Sequence, residues 1–159
     1  MKITIAAVGK LKEKYLKDGI GEYSKRLSRF CDLEFIEVED EQAPENLSEA
    51  GSKQVKKKEA ERLLKRIKDS SFIIVMDVKG EKLGSEKFAA RLESLFVSGV
   101  SHITFVIGGS LGVDEELLNK AGFKLSLSDM TFPHQLTRLI LLEQIYRGFK
   151  IINGETYHK

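Results

Sequence analysis

The stretch from Leu125 to Phe149, LSLSDMTFPHQLTRLILLEQIYRGF, holds the densest set of groups able to do chemistry. Phe132 precedes Pro133, which drives Phe132 into extended backbone. Pro133 in turn suits the first turn of a following helix. The chain therefore makes a rigid corner, with backbone groups of Ser128, Asp129, Met130 and Thr131 on one side and His134 on the other. Backbone N–H and C=O groups held this way can read an adenine edge, with Met76, Leu127 and Met130 against the ring faces. The competing reading makes those apolar residues plain core. His134 titrates in the useful range, and reads equally as a general base, a substrate contact or a surface residue at a helix start. Arg138 falls inside the apolar arc of the helix. It is either a snorkelling stem or a guanidinium held for a phosphate, a carboxylate or a partner chain. At the far end, Tyr157, His158 and Lys159 set a stacking ring, an imidazole and a cation side by side, a mixture suited to a nucleobase and its phosphate.

A second turn, IGGSLG from Ile107 to Gly112, precedes this stretch. Its glycines let backbone approach a ligand closely, although an ordinary strand-to-helix turn would look the same. The spacing is not G-x-G-x-x-G, and Val113 and Asp114 stand where a phosphate-binding loop would carry its lysine. A nicotinamide-dinucleotide site and a phosphate cradle are both disfavoured.

Alternating strand and helix patterns must position these turns. Lys2 to Val8 reads as a strand, and Glu13 to Phe30 as a helix with Leu16, Ile20, Tyr23 and Leu27 on one face. Leu33 to Val38 reads as a strand near an edge. After an acidic loop, Ser52 to Asp69 forms a basic helix. Ser71 to Asp77 is a strand buried on both faces, and Val78 to Gly84 a loop. Ser85 caps a helix. Ser101 to Ile107 is a strand, Asp114 caps a short helix, Phe123 to Leu127 is a fifth strand, and Gln135 to Phe149 is the last helix. The order predicts a single α/β domain over residues 1–159, with a mainly parallel sheet and helices on both faces. Three strand ends, at Met76-Asp77, Gly108-Gly109 and Leu127 through Phe132, would form one wall if the strands are neighbours. The last helix is apolar over more than half its circumference, which predicts cover from a second subunit.

Composition narrows the class. Hydrophobic residues at 42% and charged residues at 31% fit a globular domain with its own core. The single cysteine, Cys31, cannot form an internal disulfide, and no Cys/His cluster suggests a metal. The apolar run Ile3 to Val8 is too short for a membrane span or a signal peptide, so a cytoplasmic location is expected. The net charge of +2 is unevenly spread: eight acidic and no basic residues in 32–49, then eight basic and three acidic in 51–70. Such blocks are solvated faces or a nucleic-acid footprint.

The segments KITIAAVGKLKEKYLKDGIGEYSKRL, FVIGGSLGVDEELL and LSLSDMTFPHQLTRLILLEQIYRGFKIINGETYHK together resemble the RlmH family of large-subunit rRNA methyltransferases, in the SPOUT superfamily. The resemblance covers essentially the whole chain. It implies a deep trefoil knot in the C-terminal part and a homodimer built across the knot helices. It implies S-adenosylmethionine as cofactor and methylation of N3 of a pseudouridine in 23S rRNA on assembled ribosomes. It places the cofactor on Met76, Gly108, Leu127, Ser128, Asp129, Met130, Thr131 and Phe132. N3 of such a base carries a proton, so His134, Arg138 and His158 become candidates for removing it or stabilising the anion, with Tyr157 as a stacking or hydrogen-bonding contact. Substrate contacts would come from the basic helix, the N-terminal lysines and the partner subunit. The alternatives are a non-enzymatic ribosome-associated binding module of the same fold and a small nucleotide-dependent enzyme.

Overall fold

Successive strand side chains point to opposite faces, so a continuous apolar run buries both, and the interior strands β1 (Lys2–Val8) and β4 (His102–Ile107) do so. The computed structural model describes residues 1–159. Its elements are β1 (Lys2–Val8), α1 (Lys14–Leu27), β2 (Asp32–Val38), α2 (Glu49–Leu64), β3 (Phe72–Lys82), α3 (Ser85–Val97), β4 (His102–Ile107), α4 (Glu115–Lys120), β5 (Phe123–Ser126) and α5 (His134–Ile152). All five strands are parallel, in the order β2-β1-β4-β3-β5. Ile3, Ile5 and Ala7 of β1 and Ile103, Phe105 and Ile107 of β4 meet α1, α3 and α5 in one core, while Ala6, Val8 and Val106 meet α2 and α4 in the other. Crossovers running towards β2 use α1 and α3 on one face, and those running towards β5 use α2 and α4 on the other. A single hand of crossover demands that division.

Several expected details shift. α2 starts at Glu49, because the Ser48 hydroxyl accepts the Gly51 N–H at 3.1 Å, so part of the expected loop is helix. Ser85 is the first residue of α3, not its cap; its hydroxyl donates to Gln144 Oε1 at 2.7 Å. Pro133 occupies the N-cap position of α5, one residue before the expected place in the first turn. Asp114 caps α4 as expected, accepting the Glu116 N–H at 3.0 Å.

Much of the two-sided apolar character of α5 is covered inside the chain. No residue from His134 to Ile152 is fully exposed. The helix lies between α1 and α3, and Phe149 is stacked between Phe30 at 5.4 Å and Phe96 at 5.7 Å. A helix wedged between two others over a sheet needs three apolar stripes, which accounts for much of the arc, while Leu136, Leu139 and Ile140 stay half-buried.

β3 also departs from expectation. The polar run after Asp77 continues as strand, and β5 pairs with β3 twice: Leu125 opposes Met76 and again Glu81. Residues Asp77 to Gly80 bulge out between the two pairings, with the Asp77 carboxylate accepting the Lys79 N–H at 3.1 Å. Gly80 lies directly on the β5 backbone: a Cβ there would be 2.8 Å from the carbonyl carbon and oxygen of Lys124. Backbone cannot swing aside as a side chain can. Gly80→Ala should lower unfolding stability by about 1–3 kcal/mol, read as an earlier urea midpoint. An unchanged midpoint would mean that the bend does not touch β5 in solution.

Candidate functional site

The carboxyl ends of β3, β4 and β5 do form one wall. They enclose a cleft of about 430 Å³, a size suited to a small cofactor. Met76, Gly108, Leu127, Ser128, Met130, Thr131, Phe132 and His134 all line it. Asp129 does not; its exposed carboxylate pairs outward with Lys82 of the second β3 arm. A smaller recess of about 250 Å³ shares Leu127 and Phe132 with the cleft and reaches Gln144.

Local causes shape each turn. Gly112, at φ +94, donates its N–H to Gly109 C=O at 3.1 Å and closes the glycine turn. A Cβ on Gly108 would lie 2.7 Å from Val113 Cγ2 and 2.8 Å from Gly112 O, so this turn excludes any side chain there. After β5, the Ser126 hydroxyl donates to Ser128 C=O at 3.1 Å and the Ser128 hydroxyl accepts the Met130 N–H at 3.0 Å. These bonds hold Met130 74% exposed and Phe132 38% exposed at the cleft rim, whereas Leu125 is core. The plain-core reading thus fails for Met130.

His134 opens α5, and its Nε2 faces Gly9, where a Cβ would sit 3.6 Å away. Burial lowers its pKa first, the nearby Arg138 charge lowers it further, and Asp40 opposes both. The imidazole is therefore neutral at neutral pH and free to accept a proton. Arg138, one turn on, does not line the cleft. Its buried guanidinium donates to Glu37 Oε2 at 2.5 Å, Gly9 C=O at 2.6 Å and Val8 C=O at 3.3 Å, leaving Nε without a partner. Glu37 reaches it because Leu33, Phe35 and Glu37 share the α5 side of β2 while Ile36 and Val38 face the other core.

Tyr157 and His158 lie apart from the cleft. Tyr157 packs edge-on against Tyr146 at 4.9 Å and its hydroxyl donates to Glu143 Oε1 at 3.1 Å. Burial, with Tyr23 and Glu143 as polar neighbours, raises its pKa, so it stays a phenol. His158 Nδ1 is 3.1 Å from Arg147, which lies roughly 20 Å along α5 from His134 at about 1.5 Å per residue. Within one chain the candidate catalytic groups fall into two sets.

Glu37, Gly9 and Gln135 carry no signal in the sequence pattern, yet Gly9 abuts His134, Glu37 holds Arg138 and Gln135 holds the Lys12 N–H at the start of α5. No grouping of three His, Cys, Asp or Glu side chains could hold a metal ion, and no helix is long and apolar enough to cross a membrane. On α2, Lys58 and Arg62 pair with Glu41, while Lys53, Lys56 and Lys57 make no ion pair.

A family model described as predicted SPOUT methyltransferase matches residues 1–158. The chain is 70% identical over 159 residues to the ribosomal RNA large subunit methyltransferase H of Acetivibrio thermocellus, and 64% identical to that of Ruminiclostridium cellulolyticum, covering 100% of each chain in both cases. Its fold resembles the tRNA (m1G37) methyltransferase of Aquifex aeolicus at TM-score 0.52 and 16% identity, over 92% of this chain and 70% of that one. A Legionella pneumophila protein in complex with the bound cofactor SAM gives TM-score 0.50 at 10% identity, over 94% of this chain and 66% of that one.

An NMR titration of His134 checks the electrostatics. The midpoint should fall below the ordinary histidine value of 6.5 and move back up in Arg138→Met. A midpoint at or above the ordinary value would remove the neutral imidazole from the site.

Proposed function

Since the chain belongs to the SPOUT methyltransferase family, we propose that it methylates N3 of a pseudouridine in large-subunit (23S) rRNA on assembled ribosomes, using S-adenosylmethionine. What carries the reading is the full-length likeness to enzymes named as large-subunit rRNA methyltransferases. The family also supports one domain over residues 1–159, with the C-terminal part tied in a trefoil knot.

The cleft fits the cofactor. Met76, Leu127 and Met130 offer apolar walls, the backbone from Leu127 to Phe132 offers hydrogen-bonding groups, and Gly108 keeps the floor free of a side chain. When bound, the cofactor supplies a methyl group on a positively charged sulfur. Asp129 would act by pinning the turn through Lys82, not as a lining side chain.

The chain's own residues then have divided tasks. His134, neutral and at the cleft, takes up the N3 proton. Arg138 holds the start of α5 against β1 and β2 and keeps His134 from gaining charge early. Tyr157 and His158 are too far along α5 to reach the same cleft. A homodimer related by a two-fold axis would let one subunit's tail meet the other's cleft. Tyr157 would then contact the base, and His158 the base or its phosphate. The substrate being a polyanion, the unpaired Lys53, Lys56 and Lys57 would serve as phosphate contacts.

Transfer of labelled methyl from the cofactor to ribosomes carrying or lacking the pseudouridine tests the reaction. Label should enter only the former; equal labelling of both would end the assignment. The dimer has its own test. His134→Ala and His158→Ala homodimers should both be crippled, while an equal mixture reassorted into heterodimers should regain about a quarter of wild-type activity, because half of the dimers then hold one intact site. No recovery on reassortment would put both groups in one subunit's site, or in none.

A further inference from the structure

The β1–α1 loop, Gly9 to Glu13, is the least expected part of the cleft's surroundings. It is held at four points. Arg138 donates to Gly9 C=O, the Gly9 N–H donates to Val38 C=O at 2.8 Å, Glu37 Oε2 accepts the Leu11 N–H at 3.1 Å, and Gln135 Oε1 accepts the Lys12 N–H at 3.2 Å. All of these anchors come from α5 and β2, so the loop is clamped to the start of the helix that carries His134. Gly9 itself, at φ +90, abuts the imidazole.

A loop with this much backbone anchoring loses little entropy when it binds something. What it presents is cationic. Lys10 and Lys12 are exposed and form no ion pair, although Glu13, Glu39 and Asp40 stand on neighbouring segments. The remaining nearby carboxylate, Glu37, is already neutralised by Arg138. Two unpaired ammonium groups on a rigid loop beside a reactive histidine suit a fixed anion better than a mobile one.

We propose that Lys10 and Lys12 form a phosphate clamp that seats the RNA backbone next to the target nucleotide, so that the β1–α1 loop sets the register of the base over the cleft. The inference rests on the rRNA reading above and assigns it a specific contact. Phosphate contacts of this kind orient a nucleic acid without reading its sequence, which a single-site enzyme on a folded RNA requires.

The test compares Lys10→Gln/Lys12→Gln with Lys25→Gln/Lys124→Gln, which removes the same charge from exposed lysines outside both this loop and the basic helix. Ribosome binding is measured against salt, and cofactor binding by calorimetry. The clamp variant should lower the salt slope by about 1.5, as expected for two lost phosphate contacts, and raise KM for ribosomes with cofactor affinity unchanged. The control pair should leave the slope near the wild-type value. Equal losses in the two pairs would reduce the effect to overall charge and overturn the clamp. A fall in cofactor affinity would place the lysines on the cofactor's carboxylate and also overturn it. Failure of the wild-type protein to label ribosomes at all would instead remove the parent reading, and the clamp with it.

Discussion

A buried guanidinium has few acceptable surroundings, and the one around Arg138 dictates how the cleft is assembled. A charge taken out of water must recover its solvation from partners held in place. Arg138 recovers it from the Glu37 carboxylate of β2 and the carbonyls of Val8 and Gly9 at the end of β1, set against a helix that begins far later in the chain. The contact therefore brings the start of α5, the end of β1 and the end of β2 together as one unit. His134 lies one helical turn from Arg138 on the same side, so its place and its lowered proton affinity both follow from this contact. Glu37 is 40% exposed along its side chain, so water shares in stabilising the pair and its worth lies more in placement than in stability.

The opposite wall is held by close packing of backbone. β5 has only four residues, too few to stand as an independent edge, yet it carries the turn from Leu127 to Pro133. The bent β3 supports it on two successive registers, with Gly80 on the Lys124 backbone and Gly122 under the Phe72 ring, where any Cβ would collide with the ring carbons. One wall thus depends on a charge and the other on the absence of side chains. Both are stiff, which suits a reaction whose rate depends on alignment.

Much of this could be read from residue patterns, and the failures have physical causes. The parallel sheet and the meeting of three strand ends were legible because buried parallel strands leave continuous apolar runs and place loops at one edge. The second arm of β3 was not, because Lys79, Gly80, Glu81 and Lys82 carry a loop's composition and become strand only through their pairing with β5. Ser85 looked like a cap from its neighbours, but a hydroxyl serves whichever acceptor tertiary structure offers, here Gln144. The wide apolar arc of α5 signalled burial, and α1 and α3 meet much of it, since a helical wheel counts apolar faces without saying which element meets them. Glu37 sat in an acidic run with nothing local to mark it; a contact at that sequence separation has no periodicity. The reaction and its substrate came from resemblance to a family, since no spacing among these residues distinguishes a methyl acceptor from any other base.

The lowered proton affinity of His134 bears on how the proposed reaction is driven. A neutral imidazole is available throughout the neutral range, but the same shift makes it a weak acceptor, and the N–H of a uracil-type base is only weakly acidic. Complete removal of the proton before attack would therefore be uphill. The balance changes as the nitrogen takes up the methyl group, because that nitrogen becomes far more acidic while its new bond forms. A weak base already in place then suffices, provided that it lies within hydrogen-bonding reach at that moment. Most of the acceleration must accordingly come from holding nitrogen, methyl and sulfur in line. That requirement agrees with a site whose walls are closely packed and whose proposed base, His134, is placed by the half-buried Arg138–Glu37 pair.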